Sequence, residues 1–166
     1  LTAFDSTTND NDGTISLASW INEGNNLSSL WFNGVNSSIA VERTGHPELD
    51  PKQQLTMAAW VKNTDIDDNY LSKIVCRSGG ADGYSYALYL NDGVSYDNLG
   101  VEIRTETGGI QTREWEWTEM NGSWFHFAAS FSNENNGTIN LYHNGRNVAT
   151  WNDIGTNIVY RTEFDN

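Results

Sequence analysis

The sequence predicts an all-β fold, an antiparallel β-sandwich, and three observations carry the prediction. Apolar residues alternate along short segments, as in Phe125, Phe127, Ala129 and Phe131, and a strand places such alternate positions on one face. Turn signals recur about every 8–12 residues, the spacing of sandwich strands. Almost nothing in the chain reads as helix.

The expected strands follow in order. Leu30–Phe32 and Ser38–Glu42 come first, and Pro47 and Pro51 then bracket an irregular loop. Leu55–Lys62, Tyr70–Arg77, Tyr84–Leu90, Leu99–Glu106 and Gln111–Thr118 come next, punctuated by Gly79-Gly80, Asp82-Gly83, Asp92-Gly93 and Gly108-Gly109. Such pairs supply the backbone conformations that tight turns need. After Asn121-Gly122, the strand Trp124–Phe131 and the strand Thr138–His143 read as neighbours joined by a solvated Asn-rich turn, since Ile139 and Leu141 repeat the alternation. Asn147–Trp151 follows Asn144-Gly145 and is the last strand expected.

At 166 residues the chain is long enough for one domain with a sizeable core and no staples. Its one cysteine, Cys76, excludes an internal disulfide framework and, beside Ile74 and Val75, is expected as a buried strand thiol. No apolar run approaches the roughly 20 residues of a membrane span, and no signal peptide is visible. The chain begins at Leu1, which points to a processed or excised piece. Twenty-two acidic against nine basic residues give a formal charge of −13. That charge repels phosphate backbones and anionic lipid, so no nucleic acid and no membrane insertion are expected.

Four blocks in order carry a family resemblance: Phe4-Asp5 with Asn11-Asp12-Gly13-Thr14; Leu30-Trp31-Phe32-Asn33-Gly34 into Ser38-Ile39-Ala40-Val41; Leu55-Thr56-Met57-Ala58-Ala59-Trp60-Val61-Lys62; and Trp124 with Leu141, Tyr142, Asn144 and Gly145. Tyr84–Leu90 matches the strand after a glycine-rich turn. Over nearly its whole length the chain resembles a laminin G-like domain of the concanavalin A-like, pentraxin-related jelly rolls. The resemblance implies one jelly-roll domain over residues 1–166. It also implies a closing strand that would be starting at Phe164-Asp165-Asn166, so the piece is expected to lack it and to come from a longer surface protein.

Three constellations could carry function. Trp115 and Trp117 share one face of their strand while Glu114 and Glu116 share the other. Exposed beside Tyr84, Tyr86 or Tyr96, the two indoles would make a glycan platform; buried, they would be sandwich core. Trp60 and Trp124 fall in core blocks and are expected inside, while Trp31 could face either way. Asp5, Asp10 and Asp12 with Asn9 and Asn11 form an oxygen-rich loop suited to calcium. The resemblance implies a structural calcium held by Asp5, Asp12 and the Asn33-Gly34 turn. Asp65, Asp67 and Asp68, or Asp82, are alternative rim sites. Finally, Glu114, Glu116 and Glu119 resemble the acidic strand motif of the laminarinase and lichenase glycosidases, with Glu in place of the middle Asp; that motif reads as a charged outer face. His46, His126 and His143 make no metal spacing, although His126 and His143 lie on adjacent strands, and sequons stand at Asn26, Asn36, Asn121 and Asn136.

The functional expectation is a non-enzymatic recognition module that binds a glycan or cell-surface polysaccharide, with possible calcium, on an extracellular, cell-surface or virion-surface protein. The alternatives are a structural or protein-binding module of an adhesin or phage particle, joined to other domains or subunits, and a β-glucan glycosidase.

Overall fold

The computed structural model describes residues 1–25, 27–42, 46–64, 71–78, 84–92, 97–117 and 122–160. The chain divides into two compact units, Leu1–Asp50 and Pro51–Asn166.

The first unit holds β1 (Thr2–Ala3), β2 (Gly13–Ser16), β3 (Ser19–Gly24), β4 (Leu27–Trp31) and β5 (Ser38–Val41). β1, β2 and β5 form an antiparallel sheet in the order β1-β2-β5, and β3 pairs with β4 in a separate hairpin. β1 to β3 were not expected from the sequence. β2 offers only Ile15 as an apolar anchor, and every residue of β3 is exposed, so neither shows the alternation that marks a strand.

The second unit holds β6 (Gln54–Val61), β7 (Leu71–Ser78), β8 (Tyr84–Asp92), β9 (Asp97–Thr105), β10 (Gly109–Glu116), β11 (Phe125–Ser132), β12 (Thr138–His143) and β13 (Arg146–Asn152). They make two four-stranded antiparallel sheets, in the orders β13-β12-β11-β6 and β10-β9-β8-β7. All ten expected strands are present, as β4 to β13, with ends shifted by a few residues. One apolar cluster draws on both sheets, with Leu88, Leu99, Val101 and Ile103 from one and Phe127, Ala129, Ile139 and Leu141 from the other. The second unit is therefore a β-sandwich, its core filled by the alternating inward positions of each strand. Fully burying a Leu, Ile or Phe contributes about 1.5–3 kcal/mol, so this cluster is the chief source of stability.

After β13 the chain crosses both sheets. Ile154 and Ile158 are buried, the Ile158 amide donates to the Lys52 carbonyl (2.8 Å), and the Val159 amide donates to that of Arg104 (3.0 Å). Thr105 Oγ1 donates to the Ile154 carbonyl (3.0 Å). Gly155 (φ +111°) permits this crossing, because a Cβ there would meet the Thr105 hydroxyl and the Gly108 backbone. Residues 161–166, where the closing strand was expected to begin, lie outside the described residues.

Three core expectations are corrected. Trp60 (66% exposed) stands between the inward Ala59 and Val61 and therefore points outward. Trp124, one residue before the inward Phe125, is 41% exposed. Cys76 is exposed, because the register of β7 shifts between Lys73 and Val75 and sets Cys76 opposite Ala87.

Candidate functional site

The phase of β10 decides between the two readings of its aromatic pair. Trp117 is 8% exposed, its ring 4.4 Å from that of Phe125 and 4.6 Å from that of His143. Trp115 is half-buried against the same core, 6.0 Å from the His143 ring. Tyr86 is also buried, edge-on to Tyr160 at 6.3 Å. The platform drawn from Trp115, Trp117 and Tyr86 is thus turned inward and corrected to core, where large aromatics contribute most. Tyr96 lies outside the described residues. Tyr84 remains near the surface, half-buried at the start of β8.

With the indoles inward, Glu114 and Glu116 are outward and exposed. Glu114 is the centre of a built polar cluster. Its Oε1 accepts from Tyr89 Oη (2.9 Å) and Asn91 Nδ2 (3.0 Å), and its Oε2 accepts from Asn98 Nδ2 (3.4 Å). These donors come from β8 and β9, so one carboxylate joins three strands. Tyr89 reaches it by lying across β9 over Gly100, where any Cβ would run into the ring. On its other side the Tyr89 ring meets Lys73 Nζ at 4.1 Å from the centroid, and the same ammonium lies 4.4 Å from the Tyr84 centroid. Burial pushes the Lys73 ammonium below the usual lysine value, while Glu102 and Glu114 pull it back up. Burial first, and then the bond to Glu114, hold the Tyr89 phenol above the ordinary tyrosine range. A carboxylate offers about four lone-pair sites. Three donors leave Glu114 one acceptor position toward solvent. Sequence reading singled out Glu114 but not its partners, which only the β8–β9–β10 register brings together.

The loops expected to hold calcium are closed on themselves. Asp5 Oδ1 accepts from the Thr7 amide (2.8 Å), and its Oδ2 accepts from Thr7 Oγ1 (2.7 Å) and the Asn11 amide (2.9 Å). Asp12 Oδ1 accepts from the Asp5 amide (2.7 Å). The Thr7 hydroxyl and the two amides hold the Asp5 carboxyl below the usual aspartate range. Asn33 Oδ1 accepts from the amides of Val35, Asn36 and Ser37 and from Ser37 Oγ, a turn that Gly34 (φ +71°) completes. With its lone pairs directed at those donors, Asn33 Oδ1 has none left for a cation. The Asp5 carboxylate and Asn33 Oδ1 are thus spent on their own loops, and no group of three or more His, Cys, Asp or Glu that could hold a metal gathers among the described residues. Asp65, Asp67, Asp68 and Asp82 lie outside them, as does Glu119 of the glycosidase-like motif.

The other sheet presents a different outer face. β6 contributes Thr56, Ala58 and Trp60; β11 contributes His126, Ala128 and Ser130; β12 and β13 contribute Asn140, Tyr142, Asn147 and Thr150. Trp60 is register partner to His126, their rings edge to face at 5.5 Å. His143, on the neighbouring strand, points the opposite way into the core, so the two histidines do not meet face to face. Asn140 Oδ1 accepts from Thr150 Oγ1 (2.7 Å) and Asn147 Nδ2 (3.2 Å).

A scan against protein-family models matches residues 32–164 to a family described as the concanavalin A-like lectin/glucanases superfamily. No curated protein and no solved structure matches the chain.

Proposed function

The chain belongs to the concanavalin A-like lectin/glucanases superfamily, and we propose that it is a non-catalytic carbohydrate-recognition module whose contact site is the exposed β10 margin of the outward side of the β10-β9-β8-β7 sheet, around Glu114. The observation that carries the reading is the Glu114 cluster. A carboxylate fixed by Tyr89, Asn91 and Asn98, on three paired strands, is ordered before any ligand arrives. Carboxylates and amides so placed hydrogen-bond the vicinal hydroxyls of a sugar, and Tyr84 adds an aromatic edge beside them. The formal charge of −13 favours an uncharged sugar over a uronate or sulfated one.

Recognition is preferred to hydrolysis on exposure. A glycosidase needs one carboxylic acid sheltered enough to keep its proton at neutral pH. Of the glycosidase-like motif, the two acids among the described residues, Glu114 and Glu116, are both exposed. Every partner of Glu114 named here is a donor, which suits it as a fixed acceptor. The acidic surface suits an extracellular or particle-surface setting.

A glycan array probed with the intact chain tests the reading. Binding to one or a few neutral glycans that falls at least tenfold, about 1.4 kcal/mol, in Glu114→Gln is the expected result. An array without signal, or signal indifferent to Glu114→Gln and Glu114→Ala, contradicts it. Reducing ends released by the unmodified chain and not by Glu114→Gln would replace it with the glycosidase.

A further inference from the structure

We propose that the outward face of the β13-β12-β11-β6 sheet is a second carbohydrate face, which takes an uncharged glycan chain with Trp60 as its stacking platform. The proposal rests on the carbohydrate reading above for the class of ligand, but on a different sheet and different residues. In a chain with 31 charged side chains, 22 acidic and 9 basic, none of the outward positions of these strands is Asp, Glu, Lys or Arg. What they carry instead is hydroxyl and amide: Thr56, Ser130, Asn140 and Thr150, with Asn147 beside them.

Trp60 stands at the end of this neutral field, with Trp124 and Lys62 just beyond the strand ends. Trp60 is 66% exposed, and His126 sets its orientation at 68° between ring planes. The next outward pair along the same two strands is Ala58 and Ala128, so the floor beside the indole is low. A flat pyranose face packed on the indole would lie over that floor, its hydroxyls toward Tyr142 and the Ser/Thr/Asn rows. Placement of one polar residue after another without a charge matches an uncharged, hydroxyl-rich ligand. It does not match a second copy of this chain, because stable subunit interfaces need a contiguous apolar centre, and here two exposed indoles, Trp60 and Trp124, stand at one end among polar groups.

The test is calorimetric titration of the intact chain with neutral hexasaccharides of glucan, mannan, xylan and chitin type, and with a uronate hexasaccharide as charged control. The variants are Trp60→Ala, Trp60→Phe, Glu114→Gln and the Trp60→Ala/Glu114→Gln double, each checked for an unchanged thermal transition. Expected are two sites on the parent chain for a neutral hexasaccharide, a loss of at least tenfold at one of them in Trp60→Ala, near-parental binding in Trp60→Phe, and no binding in the double variant. Parental binding in Trp60→Ala together with complete loss in Glu114→Gln would overturn this proposal and leave the first face standing. Absence of binding by the parent chain would overturn both. Light scattering that shows a dimer dissolved by Trp60→Ala, with glycan binding unaltered, would overturn it by assigning the face to self-association.

Discussion

Tyr89 can reach Glu114 only because Gly100 lies between them without a side chain. Gly100→Ala is therefore expected to displace the Tyr89 ring and destabilise the chain by about 1–3 kcal/mol, as overpacking does; urea denaturation measures it. Tyr89→Phe keeps the ring and removes the donor. It should cost about 1 kcal/mol in the same assay, and it should weaken ligand binding through a less ordered Glu114. A parental melting curve and parental binding in Tyr89→Phe would show that the bond orders nothing. Asp5 makes a prediction in pH. Its carboxyl is depressed by the Thr7 hydroxyl and by the Thr7 and Asn11 amides. The order it gives its loop is therefore complete above the usual aspartate value of about 3.9 and is lost as pH falls through the lower folded value. Protection factors of the Thr7 and Asn11 amides, corrected for the intrinsic pH dependence of exchange, should fall below about pH 4 while core amides stay protected. Protection unchanged to low pH would show that the neutral side chain closes the loop equally well. For the same loop, any shift of the thermal transition on adding calcium is expected to be the same in Asp5→Asn as in the parent chain; a shift lost in Asp5→Asn would contradict the hydrogen bonding found.

β11 shows how far local pattern determines an element. Phe125, Phe127, Ala129 and Phe131 alternate in sequence and are all buried in the core, so Phe127→Ala should cost about 3–5 kcal/mol in urea denaturation. A cost under about 1 kcal/mol would mean that the site collapses around the cavity, against the close packing of such interiors. β4 to β13 were legible from the sequence because turn residues bound them and apolar positions recur within them. β1 to β3 were not, since β1 and β2 span only two and four residues and β3 has no buried face, so none has a periodicity to read. β10 was legible only in part. Period 2 separates Trp115 and Trp117 from Glu114 and Glu116, but the choice of inner face belongs to the register with β9, where Trp115 opposes Leu99. The same limit explains Trp60. An apolar block fixes a strand's existence, and Leu55, Val61 and Met57 claim the inner side, which leaves the one indole outside. Cys76 was lost to a register shift that no local signal announces.

At the scale of the molecule, the sandwich of β6 to β13 presents two outer faces, one charged and one without charge. One carries Lys73, Glu102, Glu114 and Glu116 around a fixed carboxylate; the other carries no Asp, Glu, Lys or Arg at its outward strand positions. Strands set both faces rigidly, which favours precise placement of a few hydrogen-bonding groups over a mobile loop. The account's central claim is that the Glu114 face recognises carbohydrate without cleaving it. Its most direct measurement is titration of the intact chain and of Glu114→Gln with the strongest neutral glycan from an array, with reducing ends assayed in the same samples. The account predicts saturable binding by the intact chain, at least tenfold weaker at one of its two sites in Glu114→Gln, and no reducing ends from either. Equal affinity in the two chains, or reducing ends from the intact chain alone, would contradict it.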